Sequence, residues 1–298
     1  MLAKKSEIIR KDNWLMDFKK NITSIRGENG ILEKVFEIIE EDKIDKREKW
    51  CVEFGADDGK HSSNTWDFVI NRGWSAVLIE ADKKKFKKLI KTYENIKRAI
   101  SLNLFINFSG TNSLDNVLSK TPIPQSFDLL SVDIDGNDYH IWKSLKKYNP
   151  KVVIIEFNPS FPNNIEFIQP KNMRVKQGSS ILSIVKLGKI KGYELVATTD
   201  INAIFVRKEY FGLFKIKNNS LANIHDDEKY RTYLYQLYDG TILIGGHNKL
   251  MWHGKPIRYK DMQILPRFLR RYPGDYPLIL KYWMKIKDNL KRILKIKK

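Results

Sequence analysis

Carboxylates dominate the residues of this sequence that could do chemistry. Asp133, Asp135 and Asp138 crowd into the run Asp133-Ile134-Asp135-Gly136-Asn137-Asp138, and Glu156 closes the apolar run Val152–Ile155. Crowded carboxylates raise one another's pKa toward neutrality, where a carboxylate serves as a base. A hydroxyl that is to attack an electrophile must lose its proton, so Asp133 and Asp135 are the groups expected to orient or deprotonate an acceptor. His140 and Glu156 stand in reserve. Asp133, Glu156 and Asn158 offer hard oxygens that suit Mg²⁺ as an alternative, and no metal ligand set is assigned. Asp135-Gly136-Asn137-Asp138 also has the composition of a turn and N-cap for a helix over Tyr139–Lys147.

A second group lies upstream. Glu53-Phe54-Gly55-Ala56-Asp57-Asp58-Gly59 follows an apolar start, and Ser62-Ser63-Asn64-Thr65 comes next. Glycines at such a turn let backbone pass close to a ligand. Glu80 ends the next apolar run, 21 residues past Gly59. A carboxylate there can accept from both hydroxyls of a ribose, each bond worth about 1.5–3 kcal/mol. Together these features predict an adenosine cofactor, NAD or S-adenosylmethionine. The spacing is Gly-x-x-x-Gly, not the Gly-x-Gly-x-x-Gly of pyrophosphate sites. Glu53 would repel a pyrophosphate and suits the amino end of a methionine moiety, so S-adenosylmethionine is favoured. Glu53, Gly55, Asp57 and Gly59 are expected to shape the methionine side, with Ser63, Asn64 and Thr65 beside them, and Glu80 to bind the ribose with Asp82 assisting. His61 lies in the same turn and can line the site or stand in solvent.

Elements must bring these groups together. Residues 1–48 read as helical, with Ile31, Leu32, Val35, Phe36, Ile38 and Ile39 at helical spacing. From 49 to 210, short apolar runs alternate with amphipathic stretches, as in a parallel α/β sheet. Strands are predicted at 50–54, 75–79, 99–105, 127–132 and 152–155, and helices near 62–71, 83–93 and 179–190. The runs 194–198 and 203–206 flank a short polar turn and read as an antiparallel hairpin. The fold class is therefore α/β, a Rossmann-like seven-stranded sheet, mostly parallel with a terminal hairpin. Open sheets of this kind bind ligands at the carboxyl ends of their strands, where the carboxylates fall. Cys51 is expected to be a small core residue of the first strand.

The blocks Glu53–Gly59, Ser63-Asn64-Thr65, Gly73-Trp74, Leu78-Ile79-Glu80-Ala81-Asp82 and Leu130–Tyr139 resemble those of class I S-adenosylmethionine-dependent methyltransferases of the FkbM type. The resemblance covers roughly residues 50–208 and implies methyl transfer to an oxygen, often a saccharide or polyketide hydroxyl. It departs from the family at Asp133-x-Asp135-Gly136-x-Asp138, where Asp-x-Glu-Gly-x-Glu is usual. Asn158-Pro159-Ser160-Phe161 resembles the Asn-Pro-Pro-Phe/Tyr signature of enzymes that methylate exocyclic amines of nucleobases, but it follows the fifth strand where theirs follows the fourth. A nucleic-acid methyltransferase is thus the alternative, and a non-catalytic basic module of degenerate methyltransferase fold the third reading.

Composition bounds the rest. The 298 residues carry 54 Lys+Arg against 35 Asp+Glu, a net charge of +19, with 42% hydrophobic residues and one cysteine. That apolar content excludes wholesale disorder, and one cysteine excludes an intrachain disulfide framework. The charged N-terminus shows no secretory pattern and no apolar run reaches membrane-spanning length, so a cytoplasmic location is expected. Residues 260–298 hold 12 Lys+Arg and 3 Asp+Glu, about half the excess. Within the extension 211–298, Ile279, Trp283, Ile286, Leu290 and Ile293 recur at helical spacing among lysines. This basic helix either packs on the domain or lies on the inner face of an anionic membrane. The acceptor is expected to be a saccharide or glycan, lipid- or phosphate-linked given the basic arm.

Overall fold

The computed structural model describes residues 12–40 and 47–295. The runs predicted as strands at 50–54, 75–79, 127–132 and 152–155 are buried on both faces, the condition under which a parallel sheet covered by helices forms, while 99–103 is half-buried at the sheet edge. β1 (Trp50–Phe54), β2 (Ser75–Glu80), β3 (Ala99–Asn103), β4 (Leu129–Val132) and β5 (Val152–Glu156) pair in parallel. β6 (Tyr193–Thr198) and β7 (Asn202–Arg207) form the hairpin, and β7 inserts antiparallel against β5. The sheet order is β3-β2-β1-β4-β5-β7-β6. This is the seven-stranded, Rossmann-like methyltransferase sheet that the alternation and the hairpin imply.

Six helices flank it: α1 (Glu28–Glu40), α2 (Trp66–Ile70), α3 (Lys83–Thr92), α4 (Leu114–Leu118), α5 (Asp138–Ser144) and α6 (Ile181–Ile190). α1 buries Ile31, Leu32, Val35, Phe36 and Ile39, as its spacing requires. Phe36 meets Trp74 edge-on at 4.8 Å, and Trp74 packs on Phe68 at 4.5 Å. That cluster fastens α1 to the sheet and is worth about 0.5–1.5 kcal/mol per ring pair beyond area burial. A 3₁₀ turn at Trp14–Phe18 precedes α1. The parts of the expected N-terminal helical zone at 1–11 and 41–46 lie outside the described residues.

Two expectations are corrected. The helix placed near 62–71 opens at Trp66, because Ser62 has φ 58° and Ser63–Thr65 are turned toward Glu53. The third strand ends at Asn103, whose side-chain amide donates to the Glu80 carbonyl at 2.8 Å and closes the strand pair there. Phe105 and Ile106 are thereby free of the sheet.

The chain divides into two compact units, one through Asp227 and one from Glu228. The first ends with α7 (Lys208–Phe211), a 3₁₀ turn at Gly212–Phe214 and α8 (Leu221–Ile224). The second holds a hairpin, β8 (Thr232–Gln236) and β9 (Ile242–Gly246), and the terminal helix α9 (Leu278–Lys295). The hairpin was not expected. Its Asp239-Gly240 dipeptide is a standard turn signal, but neither strand shows the alternation of a half-buried strand.

Candidate cofactor and acceptor site

A cavity of about 480 Å³ opens at the carboxyl ends of β1, β2 and β4, within the range of small-molecule sites. Glu53, Gly55, Asp57, Ser63, Asn64, Glu80, Asp82, Asp133 and Asp135 all line it, as does His61. Gly59, Thr65, His140 and Glu156 are not among its lining residues.

Gly55 makes the turn after β1 with φ +85°, and its N–H donates to the Ile79 carbonyl at 3.1 Å. A Cβ there would stand 1.8 Å from the Asp133 carbonyl oxygen. The glycine therefore brings β1 and the β4 end together as much as it clears room for a ligand. Gly55→Ala is expected to cost about 3 kcal/mol or more through backbone overlap and left-handed strain. Urea unfolding measures it, and a loss under about 1 kcal/mol would contradict this packing. Gly59 (φ +79°) faces the other way: a Cβ would meet Leu89 and Tyr93, and the Tyr93 hydroxyl donates to its carbonyl at 2.9 Å.

Glu53 is a hub. Its Oε2 accepts from the Ser63 and Thr65 hydroxyls at 2.6 and 2.7 Å, and its Oε1 accepts from the Asn64 N–H at 2.8 Å. Burial pushes the carboxyl up, against the pull of these three donors. The Ser63-Asn64-Thr65 block is thus tied down by Glu53, with Thr65 behind the wall, and Asn64 Nδ2 donates on to Ser131 Oγ at 3.0 Å. The N-terminal segment braces the same block from outside: Thr23 Oγ1 donates to the Ser63 carbonyl at 2.8 Å.

Glu80 ends β2 at 8% exposure. Its Oε2 accepts from the Asp57 N–H at 2.9 Å and its Oε1 from the Asp82 N–H at 2.7 Å. Each oxygen keeps lone-pair capacity toward the cavity. Asp82 caps α3 by accepting from the Lys84 and Lys85 N–H groups, and the Lys85 and then the Lys84 bond hold its carboxyl below the usual range. Lys85, which the sequence reading overlooked, bridges to Asp57 at 2.9 Å and lines the cavity.

The opposite wall is acidic. Oxygens of Asp133, Asp135 and Glu156 lie within 4.8 Å of one another. Asp133 is raised to about 6, by burial first and by Asp135 second, and Glu156 is raised well above the usual range by burial and then by Asp133. Asp138 is raised to about 7 by burial and Asp133, although it accepts from the Ile134 and Gly136 N–H groups at 2.9 Å each. It pins the loop that presents Asp133 and Asp135, and Asp135 holds φ 55° and pairs with Lys176 at 3.5 Å. Three carboxylates this close relieve their repulsion with a retained proton or a bound cation. Asn158, expected beside Asp133 and Glu156, is engaged elsewhere: its Oδ1 accepts from Ser160 and its Nδ2 donates to the Gln177 carbonyl at 2.7 Å. His140 likewise turns its Nε2 to the Gln169 carbonyl at 2.8 Å, and burial lowers its pKa.

The 24 residues between β5 and α6, Phe157–Ser180, form a long loop over this wall. Met173 and Lys176 from this loop, and Asn137, Phe105 and Ile106 from outside it, line the cavity. Gln169, fully buried, organises the loop. Its Oε1 accepts from the Gln177 and Gly178 N–H groups at 2.9 Å each, and its Nε2 donates to the Val175 carbonyl at 3.1 Å. Gln169→Ala is expected to raise hydrogen exchange at the Gln177 and Gly178 amides about 100-fold, since both lose their acceptor. Unchanged exchange there would show that the loop is held by other means.

No family model matches the chain, and no curated protein matches it. Among solved structures, the CurJ carbon methyltransferase aligns with TM-score 0.41 at 9% identity, over 60% of this chain and 52% of that one. The FkbM methyltransferase from Methylobacillus flagellatus KT aligns with TM-score 0.37 at 13% identity, over 53% and 43%. A fibrillarin/Nop5p complex aligns with TM-score 0.35 at 16% identity, over 58% and 80%. The chain spans about half the length of the first of these. At such identities the likeness is one of fold.

Proposed function

We propose that this protein is an S-adenosylmethionine-dependent methyltransferase that alkylates a hydroxyl, with a saccharide as acceptor. The observation that carries the reading is one cavity with two unlike acidic walls: Glu53 and Glu80 beside Gly55 at the ends of β1 and β2, and Asp133 at the end of β4. Glu80 suits a ribose diol because both its oxygens are already oriented by backbone N–H groups. The Glu53 wall, with no cationic partner bonded to its carboxylate among the described residues, suits an ammonium and opposes a pyrophosphate. S-adenosylmethionine supplies an electrophilic methyl group when bound. Asp133 accepts the proton that the acceptor hydroxyl gives up, and Asp135 with Lys176 orients the acceptor from the loop side.

The nucleobase alternative is the less favoured: Asn158 bonds to Ser160 and Gln177, and Phe161 stacks one face on Phe167 at 4.7 Å. Incubation with methyl-labelled S-adenosylmethionine and parallel panels of oligosaccharides, RNA and DNA tests the proposal. Alkali-stable label in a saccharide is expected. Incorporation of label into nucleic acid, falling steeply when the reaction is run at high salt, would replace the acceptor assignment. No label anywhere, with no cofactor binding, would favour a non-catalytic module.

A further inference from the structure

The second unit is short of core. Among its described residues, Ile242 and Tyr276 are the buried large apolar side chains, while Leu278, Ile279, Tyr282, Trp283 and Ile286 of α9 are 56–79% exposed. At 3.6 residues per turn those five fall within about 140° of arc, with Lys281 and Lys285 bordering it. The approach to the helix, made of loop and short 3₁₀ turns, also exposes Ile264, Phe268 and Tyr272, interleaved with Arg267 and Arg271. From Glu228 on, 17 Lys+Arg stand against 5 Asp+Glu. An apolar face this large and this basic marks an interaction surface.

We infer that this surface docks on an anionic lipid bilayer, with α9 lying in the interface. The charge fits an acidic partner, and the mixture of exposed side chains selects which one. Leu278, Ile279 and Ile286 of α9 are aliphatic, and an aliphatic helix face gains free energy from acyl chains but nothing from a phosphodiester backbone. Tyr272, Tyr282 and Trp283 are the residue types that settle at headgroup level. No helix among the described residues is long and apolar enough to cross a membrane, so α9 lies on the surface and does not span it. Docking of this kind sets no condition on the chemistry at the sheet edge.

Flotation of the full chain with vesicles tests this. Binding to vesicles of phosphatidylcholine with phosphatidylglycerol is expected to exceed binding to phosphatidylcholine alone by about tenfold or more. Lys281→Glu with Lys285→Glu should weaken the anionic binding about tenfold, and Ile279→Asn with Ile286→Asn about 100-fold. Ile279, Lys285 and Ile286 are exposed, and half-buried Lys281 gives up one bond, from its Nζ to the Gly274 carbonyl at 2.8 Å, so the far-UV dichroism should not change. If the apolar pair does lose helix, the charge pair and the two vesicle types still decide. Absence of flotation, flotation that survives the apolar pair with its helix intact, or equal binding to both vesicle types overturns the inference. So does an RNA complex that the apolar pair abolishes, which would assign the face to nucleic acid.

Discussion

Glu80→Gln is expected to weaken S-adenosylmethionine binding about 100-fold or more while leaving the fold in place. Both Glu80 oxygens accept backbone N–H groups, from Asp57 and from Asp82. An amide in their place must point its NH₂ at one of these donors whichever way it turns, so one side of the turn loses its acceptor. The same substitution removes the charge that strengthens two bonds to a ribose diol, each worth about 1.5–3 kcal/mol. Losing the charge from both bonds, together with one turn acceptor, comes to about 3 kcal/mol, equivalent to about two decades in Kd. Calorimetric titration with S-adenosylmethionine and with adenosine reads it: both should lose affinity, because both carry the diol. Methionine binding should hold. A Kd within about threefold of the parent, in a variant with unchanged thermal unfolding, would remove Glu80 from the cofactor site and with it the orientation proposed for the ligand.

The gathering of these carboxylates at one edge of the sheet is legible in the sequence because it depends on local pattern. β1, β2, β4 and β5 are apolar runs buried on both faces, and a carboxylate at the end of such a run has one place to go, the ligand-binding edge. What sequence does not reveal is which tertiary partner uses a group. Gly55 and Gly59 look alike in the chain, yet one admits the Asp133 carbonyl and the other the Leu89 and Tyr93 side chains. Glu53 reads as a ligand contact, but three of its acceptor sites are filled by Ser63, Asn64 and Thr65, so its first task is to hold that block against β1. Ser62 reads as a helix start because a hydroxyl run normally caps one, and the pull of Glu53 moves the start to Trp66. The closing loop is the extreme case. Gln169 stands in a polar stretch without periodicity, and its three side-chain bonds exist only once residues 175–178 have folded back over it.

The acidic wall supplies the other large effect, and its sign is fixed by burial. A base works deprotonated, so with Asp133 raised to about 6, kcat/KM is expected to rise with pH through about 6 and to level off above. Stability should run the opposite way. The folded pKa of Asp133 lies above the unfolded value near 3.9, so folding favours the protonated form. The contribution is fully present below about pH 4 and is lost as pH climbs through about 6, and Asp138, raised to about 7, extends the loss upward. Stability is thus expected to fall over the window in which activity is expected to rise. Asp133→Asn should lower kcat about 10²–10⁴-fold and flatten the fall in stability between about pH 4 and 6. A variant that keeps its rate would take the base from Asp133. Chelation separates the two ways of relieving the crowding of Asp133, Asp135 and Glu156. With a shared proton, EDTA leaves kcat unchanged. A rate abolished by EDTA and restored by Mg²⁺ would give these three carboxylates to a cation, and the pH profile would then report the cation's binding and not a base.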